Sequence, residues 1–285
     1  MMPVPVQGVR FVALETVALS PNIGAEIKVD KKTLLEGHAL AAEMRDLLER
    51  RVVLIARGLD FDDSEQLAFA KMLGRVRIAT IIKEGDRGIL KVSFDKTLNP
   101  DFYKGFLGTF SWHMDGPYEP VPPWATILTA RVLSPTGGQT EFANTYAAYE
   151  NLPEGEKKYL ESIQVLHSVE VANRFNQNPE PEMVASWRKI PTRVRPLIWV
   201  HRSGRKSLVI GASADHVVGM ERNESDALLN RLVEWSTQPR FVYQHQWRLG
   251  DMVIWDNTGA LHRVLPYDME SGRRLHRVTL ESDEV

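Results

Sequence analysis

The chain has 285 residues, a net charge of −2 with both signs spread along its length, and no cysteine. This balanced charge argues against a dedicated nucleic-acid-binding protein and favours a small-molecule ligand. Without cysteine there is neither a disulfide framework nor a thiolate metal site, so histidine and carboxylate side chains must hold any metal.

From the sequence we expect neither an export signal nor a membrane segment. It begins Met1-Met2-Pro3 without a basic stretch, and no segment approaches the ~18 apolar residues that a transmembrane helix needs. We therefore expect a soluble, cytoplasmic protein without a membrane partner. β-rich chains of this size often form one domain, so a single domain over 1–285 is predicted. Homo-oligomerisation is left open.

The first part of the chain predicts a scaffold of short strands and two helices. In order, the patterns indicate edge strands in 1–35, a helix over 37–50, a buried strand over 52–55, a helix over 62–74 and a loop over 95–111. Asp62, Asp63 or Ser64 is predicted to cap the second helix, since their side chains accept from free backbone N–H groups.

From residue 125 onward, strands dominate. The predicted strands are 125–133, 139–143, 163–169, 197–201, 206–210, 241–246, 252–255, 261–265 and 273–280, with helices over 152–162 and 224–235. Turn residues at 134–138 are interpreted as closing a hairpin between the first two of these strands. Ser203-Gly204 is interpreted as closing another hairpin.

Residues 172–196 are polar and interrupted by prolines at 179, 181, 191 and 196. The segment is longer than an ordinary connection, so it is either a functional lid or a disordered insert. We favour a lid.

His113 and Asp115 form the most informative pair. Side chains at i and i+2 leave the same face of a strand, so both can reach one metal ion. A third histidine from a distant strand would complete a two-histidine, one-carboxylate face that suits oxygen-activating iron(II), and His262 is the candidate. A lone His-x-Asp pair is also common as a hydrogen-bonded surface pair, so the spacing alone does not decide.

Arg273 and Arg277 are four residues apart in the last predicted strand, so they point to one face with Cα atoms roughly 13 Å apart. An inward face with two cations needs anions to pair with, whereas an exposed basic edge would not. Thr140 could donate its hydroxyl to a carboxylate, although a threonine in a strand more often only packs.

Taken together, these segments resemble the taurine dioxygenase and phenoxyacetate-herbicide dioxygenase (TauD/TfdA) family. The resemblance runs from about Val52 to Asp283 and agrees in order and spacing at five places. These are His113-Met114-Asp115, the turn 136–140, the stretch 250–257, His262, and Arg273-Arg274-Leu275-His276-Arg277.

The resemblance implies a mainly β fold with flanking helices, a double-stranded β-helix (jelly roll, cupin-like). It also implies a non-haem dioxygenase that uses iron(II), 2-oxoglutarate and O2. Such an enzyme converts 2-oxoglutarate to succinate and CO2 while it hydroxylates, or cleaves after hydroxylation, a small organic substrate.

The resemblance also implies residue roles. His113, Asp115 and His262 would ligate iron. Thr140 and Arg273 would bind the far carboxylate of 2-oxoglutarate. Arg277 would meet the anionic group of the substrate, which is therefore expected to be an acid; the alternative is that Arg277 pairs internally, for example with Glu141 or Asp256.

Two departures argue against taurine as the substrate. Taurine dioxygenases carry asparagine where this chain has Thr109, and residues 75–80 lack the polar histidine and tyrosine pattern expected for taurine recognition. Thr109, Phe110 and Gly116 are candidate substrate contacts. The aromatic residues of the preceding loop either line a larger apolar pocket or pack the loop; they are Phe102, Tyr103, Phe106 and Phe110.

Two other classes of protein stay open at this stage. A zinc hydrolase could use the same three ligands with water in the fourth position, but it would not need Arg273 and Thr140 to hold a dicarboxylate. A non-catalytic small-molecule-binding barrel would normally have lost one of the ligands.

Overall fold

A computed structural model describes residues 14–37, 39–78, 88–100, 103–174, 176 and 178–283. Two β-sheets face each other, and helices cover their outer sides. Within the described chain the α-helices are α1 (Lys31–Glu36), α2 (Leu40–Arg51), α3 (Asp63–Leu73), α4 (Thr145–Glu150), α5 (Glu154–Leu160), α6 (Val169–Ala172), α7 (Pro181–Arg188) and α8 (Arg222–Ser236). Two 3₁₀ helices span Tyr103–Phe110 and Pro239–Phe241.

The strands come from all parts of the described chain. They are β1 (Thr16–Ala18), β2 (Ala25–Ile27), β3 (Val53–Ala56), β4 (Ile89–Val92), β5 (Pro123–Val132), β6 (Thr140–Asn144), β7 (Gln164–His167), β8 (Arg193–Pro196), β9 (Ile198–Val200), β10 (Lys206–Leu208), β11 (Ala214–Val217), β12 (Val242–His245), β13 (Met252–Asp256), β14 (Ala260–Val264) and β15 (Arg274–Glu281).

The larger sheet has the order β1-β2-β3-β13-β5-β15-β4, and its neighbours are antiparallel except for β2 and β3. Alternate side chains divide between its two faces, as a period of two requires. On β13, Ile254 packs on the helix side and Trp255 in the space between the sheets. On β15, Val278 lies on the helix side, whereas Leu275 and Arg277 face the interior.

The smaller sheet has the order β12-β6-β14 and closes the other side of the interior. Phe142 on β6 meets Trp255 on β13 with ring centroids 5.4 Å apart. Burying an aromatic side chain of this kind contributes on the order of 2 kcal/mol, so the sheets are held by apolar contact as well as by strand pairing. The arrangement is a jelly roll with flanking helices, as predicted.

Helices α2 and α3 cover the outer face of the larger sheet. Asp62 caps α3 by accepting from the N–H of Glu65, and the Glu65 side chain accepts from the N–H of Asp62, which makes a complete capping box. Phe69, Ala70 and Leu73 form one apolar side of the helix and are buried against the sheet. This part of the prediction is confirmed.

The outer side of the smaller sheet is covered by α4, α8 and two small sheets. One is the predicted hairpin of β9 and β10, which is confirmed. The other has the order β11-β7-β8. No helix in the described ranges is long and apolar enough to cross a bilayer.

Three element predictions need correction. The predicted hairpin of β5 and β6 is wrong, because β5 pairs with β13 and β15 in the larger sheet while β6 pairs with β12 and β14 in the smaller one. The chain between them crosses from one sheet to the other. Turn residues indicate that the chain reverses, but not that the two strands pair. The loop predicted over 95–111 contains the 3₁₀ helix Tyr103–Phe110. The edge-strand region 1–35 also holds α1, and residues 1–13 lie outside the described part.

The predicted lid, 172–196, contains helix α7 and strand β8. Strand β8 pairs with β7 along its whole length, so residues 193–196 belong to a sheet. Helix α7 has no buried side chain and is tied by Arg188, which donates to Glu170 Oε1 at 2.7 and 2.9 Å. The lid stays a prediction, now for the residues before β8.

Candidate metal centre

His113 and His262 are brought together by backbone hydrogen bonds. The N–H of His113 donates to the carbonyl of His262 at 3.1 Å, and the N–H of His262 donates to the carbonyl of His113 at 2.9 Å. Asp115 follows two residues later, and the potential ligand atoms of all three side chains lie within 4.8 Å of one another. The predicted trio is therefore one cluster on the inner wall.

Hydrogen bonding leaves a ring nitrogen of His113 free for a metal. Its Nδ1 lies 2.8 Å from the carbonyl oxygen of Ser111, which can only accept, so Nδ1 carries the proton and Nε2 keeps a lone pair. The Nε2 atom of His262 lies 3.7 Å from an Asp115 carboxylate oxygen. Trp255 and Phe142 pack beside the His262 ring and keep this wall dry.

The charge states of the cluster suit a cation. Burial lowers the pKa of His113, and burial together with the neighbouring His113 holds the pKa of His262 well below its ordinary value. Burial raises the pKa of Asp115, but the Arg277 guanidinium and the two imidazoles outweigh it, so the net pKa shift is downward. Neutral imidazoles and an ionised carboxylate are the forms that bind metal, so the donor set fits a divalent ion.

Gly211 supports the backbone segment that carries His113, and the sequence did not single it out. Its backbone has φ +103°, and a Cβ there would lie 2.9 Å from the carbonyl oxygen of Trp112. The neighbouring N–H of Ala212 donates to that same oxygen at 2.9 Å. A glycine is needed for this close approach.

Arg273 is buried beside a backbone carbonyl and an aromatic ring. It is 4 % exposed, its Nη2 donates to the carbonyl of Gly138 at 3.0 Å, and its guanidinium lies 4.7 Å from the centre of the Tyr267 ring. Among the described residues, no carboxylate forms an ion pair with it. Burial lowers the pKa of Arg273, and an unpaired buried cation is costly, so the site is built for an anion.

Thr140 stands two residues after Gly138 and is also buried. Its hydroxyl oxygen accepts from the indole N–H of Trp247 at 2.9 Å. The placement agrees with a donor role for the Thr140 hydroxyl. The sequence pointed to Thr140 but not to Trp247 or Tyr267.

Arg277 reaches the metal cluster itself. Its Nη2 donates to Asp115 Oδ2 at 2.5 Å and lies 3.4 Å from Thr126 Oγ1. Arg277 is therefore paired internally, as the alternative predicted, but its partner is Asp115. The two suggested partners are wrong, because Glu141 pairs with Arg263 and Asp256 accepts from Tyr146. The Nε of Arg277 is buried with no partner in the described structure, so the guanidinium retains a free donor.

The three candidate substrate contacts have local roles in the structure. Thr109 donates to the carbonyl of Phe106 at 2.6 Å within its own 3₁₀ helix. Phe110 stacks on Phe94 at 6.1 Å. Gly116 has φ +66°, and a Cβ there would lie 2.6 Å from Pro123 Cδ, so its role is in the backbone turn after Asp115. Contact of these residues with substrate stays a prediction.

Aromatic residues of the same region gather beside Arg273. Phe94, Phe106, Phe110 and Tyr267 form contacts with ring centroids 6.0 to 6.3 Å apart, and Tyr267 is the ring that faces Arg273. Phe106 and Phe110 were among the aromatic residues predicted either to line a pocket or to pack the loop, whereas Phe94 and Tyr267 were not foreseen. The lining of a substrate pocket stays a prediction. Phe102 lies outside the described residues.

Two imidazoles and one carboxylate on the inner wall of a jelly roll are the donor set typical of mononuclear non-haem iron oxygenases. That is the class of protein that the fold and the site define. Comparison with known proteins gives the family.

The profile described as "Taurine catabolism dioxygenase TauD, TfdA family" matches residues 15–279, and the chain belongs to this family. An α-ketoglutarate-dependent 2,4-dichlorophenoxyacetate dioxygenase of Burkholderia sp. (strain RASC) is 36% identical over 262 residues, covering 86% of this chain and 88% of the relative. A (S)-phenoxypropionate/α-ketoglutarate dioxygenase of Sphingobium herbicidovorans is 35% identical over 227 residues, covering 77% and 78%. The crystal structure of AAD-2 with Mn(II) and N-oxalylglycine superposes with a TM-score of 0.80 at 30% identity, covering 95% of this chain and 98% of that chain.

Proposed function

We propose that this chain is an iron(II)- and 2-oxoglutarate-dependent dioxygenase that oxidises a small anionic organic molecule. Two observations carry the proposal: the cluster of His113, Asp115 and His262, and the buried guanidinium of Arg273, which pairs with no carboxylate of the described residues. The first group fits a divalent metal and the second fits the far carboxylate of a dicarboxylate. The α-ketoglutarate-dependent relatives support the same activity.

In this proposal different residues bind the metal, the cosubstrate and the substrate. His113, Asp115 and His262 hold the iron, which when bound supplies oxygen activation and the oxidation of a C–H bond. Arg273 and Thr140 bind the far carboxylate of 2-oxoglutarate and so fix the orientation of its keto acid end. Trp255 and Phe142 exclude water from the His262 side, and Arg277 orients the substrate.

The substrate is expected to be an organic acid. Arg277 lies beside the metal cluster, and its Nε has no partner among the described residues. A planar guanidinium is a natural partner for a carboxylate, sulfonate or sulfate. The names of the relatives include phenoxy acids, which agrees with an aryl group next to the aromatic cluster around Phe110. A cytoplasmic location stays a prediction.

Release of CO2 from 1-labelled 2-oxoglutarate tests the proposal directly. The iron-loaded protein is incubated with a panel of phenoxy acids, sulfonates and sulfate esters, and at least one should stimulate CO2 and succinate formation in equal amounts. Hydrolysis of a panel compound by zinc-loaded protein, without 2-oxoglutarate consumption, would establish the hydrolase alternative.

Arg273→Leu tests the cosubstrate site. A charge-assisted bidentate contact is roughly twice as strong as a neutral hydrogen bond, so we expect the KM for 2-oxoglutarate to rise about 100-fold, with a smaller rise for Thr140→Val. Arg222→Leu, which removes an exposed guanidinium paired with Asp215 and Asp226, is the matched control and should leave KM unchanged. Superimposable titration curves for wild type and Arg273→Leu would contradict the assignment.

A further inference from the structure

Trp247 follows strand β12 and reaches the cosubstrate site proposed above. Its indole N–H donates to Thr140 Oγ1 at 2.9 Å, and Thr140 stands directly opposite His245 in the pairing of β6 with β12. We propose that Trp247 is a positioning residue for 2-oxoglutarate: it turns the Thr140 hydroxyl so that its single hydrogen points to the far carboxylate. The inference rests on the proposed function.

The direction of the hydroxyl follows from donor chemistry. An indole nitrogen is a donor only, so the Thr140 oxygen must be the acceptor in this bond. A hydroxyl has one hydrogen, which is then left to donate elsewhere. In the described part of the chain nothing accepts that hydrogen, and Thr140 is only 5 % exposed. A buried donor without an acceptor costs free energy, which a ligand carboxylate would recover.

The indole is itself held firmly. The Trp247 ring meets the His245 ring edge-on at 4.5 Å, and His245 is fully buried with its Nε2 3.2 Å from Asp251 Oδ2. Asp251 also accepts from Arg57 at 2.5 Å and from the N–H of Arg248 at 2.8 Å. These contacts hold the Trp247 ring in one orientation, with its indole N–H towards Thr140.

The effect of Trp247 is confined to one end of the ligand. Arg273 is oriented by the Gly138 carbonyl and the Tyr267 ring, whereas Thr140 is oriented by Trp247. In the proposed site Arg273 and Thr140 both bind the far carboxylate, whereas the keto acid end would bind the metal. A ligand that lacks the far carboxylate therefore provides an internal reference.

Binding to the Mn(II)-loaded protein, measured by calorimetry, separates this role from general packing. The two ligands are 2-oxoglutarate and 2-oxopentanoate, which has the same carbon skeleton without the far carboxylate. Trp247→Phe keeps the aromatic contact with His245 and removes the donor. We expect it to weaken 2-oxoglutarate binding about five- to tenfold, the size of one buried hydrogen bond, and to change 2-oxopentanoate binding less than about twofold.

Trp235→Phe is the matched control. Trp235 is also half-buried, and its indole N–H donates at 2.9 Å to the carbonyl of Ala148, away from the cosubstrate site. Both ligands should bind this variant as they bind the wild type. In a Thr140→Val background, Trp247→Phe should cause no further loss, because the hydroxyl that it positions is gone.

A second pair of variants covers the case in which Trp247→Phe does not fold. Trp247→Gln restores an N–H donor and Trp247→Met does not, at similar length, so the glutamine variant should bind 2-oxoglutarate several-fold more tightly. Equal weakening of both ligands by Trp247→Phe, or losses that add in the double variant, would overturn the positioning role. Wild-type protein that binds the two acids equally would instead refute the cosubstrate site on which the inference rests.

Discussion

His113, Asp115 and His262 show how far single residues can be interpreted from sequence. The two-residue spacing placed His113 and Asp115 on one face, and the structure has both in the cluster. His262 lies far along the chain, and its place depends on the backbone pairing with His113, which no local pattern encodes. Only the order and spacing of several motifs pointed to it.

Replacing any one ligand should abolish activity. His113→Ala, Asp115→Ala and His262→Ala each remove one of three protein donors, so we expect metal content to fall below a tenth of wild type and succinate formation to fall at least 100-fold. His216→Ala is the control, since His216 pairs with Asp215 outside the cluster. Metal analysis after desalting, with a succinate assay, measures both. A variant with normal turnover would remove that residue from the site.

Loss of the Arg277 guanidinium should impair substrate binding and leave 2-oxoglutarate binding almost unchanged. The Arg277→Leu variant keeps Arg273 and Thr140, so 2-oxoglutarate should still bind within about threefold of wild type. Product formation from an acidic substrate should fall at least 100-fold, and slow 2-oxoglutarate decay without product should remain. Calorimetry and product analysis measure the two effects. A neutral compound turned over equally by both proteins would show that Arg277 does not hold the substrate.

At the scale of elements, local patterns succeeded where the contacts are local. The capping of α3 by Asp62 and the hairpin of β9 and β10 depend on residues a few positions apart, and both were predicted. The supposed hairpin of β5 and β6 failed, because strand partners in a jelly roll are chosen by contacts between distant segments. Trp247 was missed for the same reason: its partner, Thr140, is 107 residues away.

The segment before β8 should behave differently from β8 itself. Helix α7 buries no side chain, so its amides should exchange within seconds in the free protein and slow at least tenfold when 2-oxoglutarate and substrate are both bound. Strand β8 is paired with β7, and Arg195 donates from it to the carbonyls of Pro117 and Pro120, so its amides should be protected in both states. Hydrogen exchange followed by mass spectrometry resolves the two. Slow exchange of α7 without ligand would rule out a lid.

At the scale of the whole molecule, the class of fold was predictable and its layout was not. The patterning predicted a strand-rich chain and the family resemblance implied a jelly roll, and the two facing sheets agree with both. The polar side chains that are buried outside the metal centre could not be predicted from the sequence, because burial depends on how all elements of the fold pack together. His167 on β7 is such a group: it is fully buried, and its Nδ1 lies 3.0 Å from Ser213 Oγ.

His167 should make the whole protein sensitive to acid. Burial, helped by the charge of Arg195, lowers the pKa of His167 from 6.5 to about 3. The folded state keeps the ring neutral while the unfolded state takes up a proton, so this group's contribution to stability is present above pH 6.5 and is lost as the pH falls towards 3. Between pH 7.5 and 5.0 the loss should be about 2 kcal/mol, at ~1.4 kcal/mol per pH unit below the unfolded pKa.

His167→Gln removes the titration and keeps a hydrogen-bonding side chain beside Ser213. At pH 7.5 the variant should be less stable than wild type, because the surrounding side chains pack around an imidazole ring that glutamine does not match. On acidification to pH 5.0 its free energy of unfolding should fall by about 2 kcal/mol less than that of wild type, so the two curves converge. Urea unfolding of both proteins at the two pH values measures this difference, in which the other titrating groups cancel. Parallel stability curves would show that His167 takes up its proton as readily in the folded protein as in the unfolded chain.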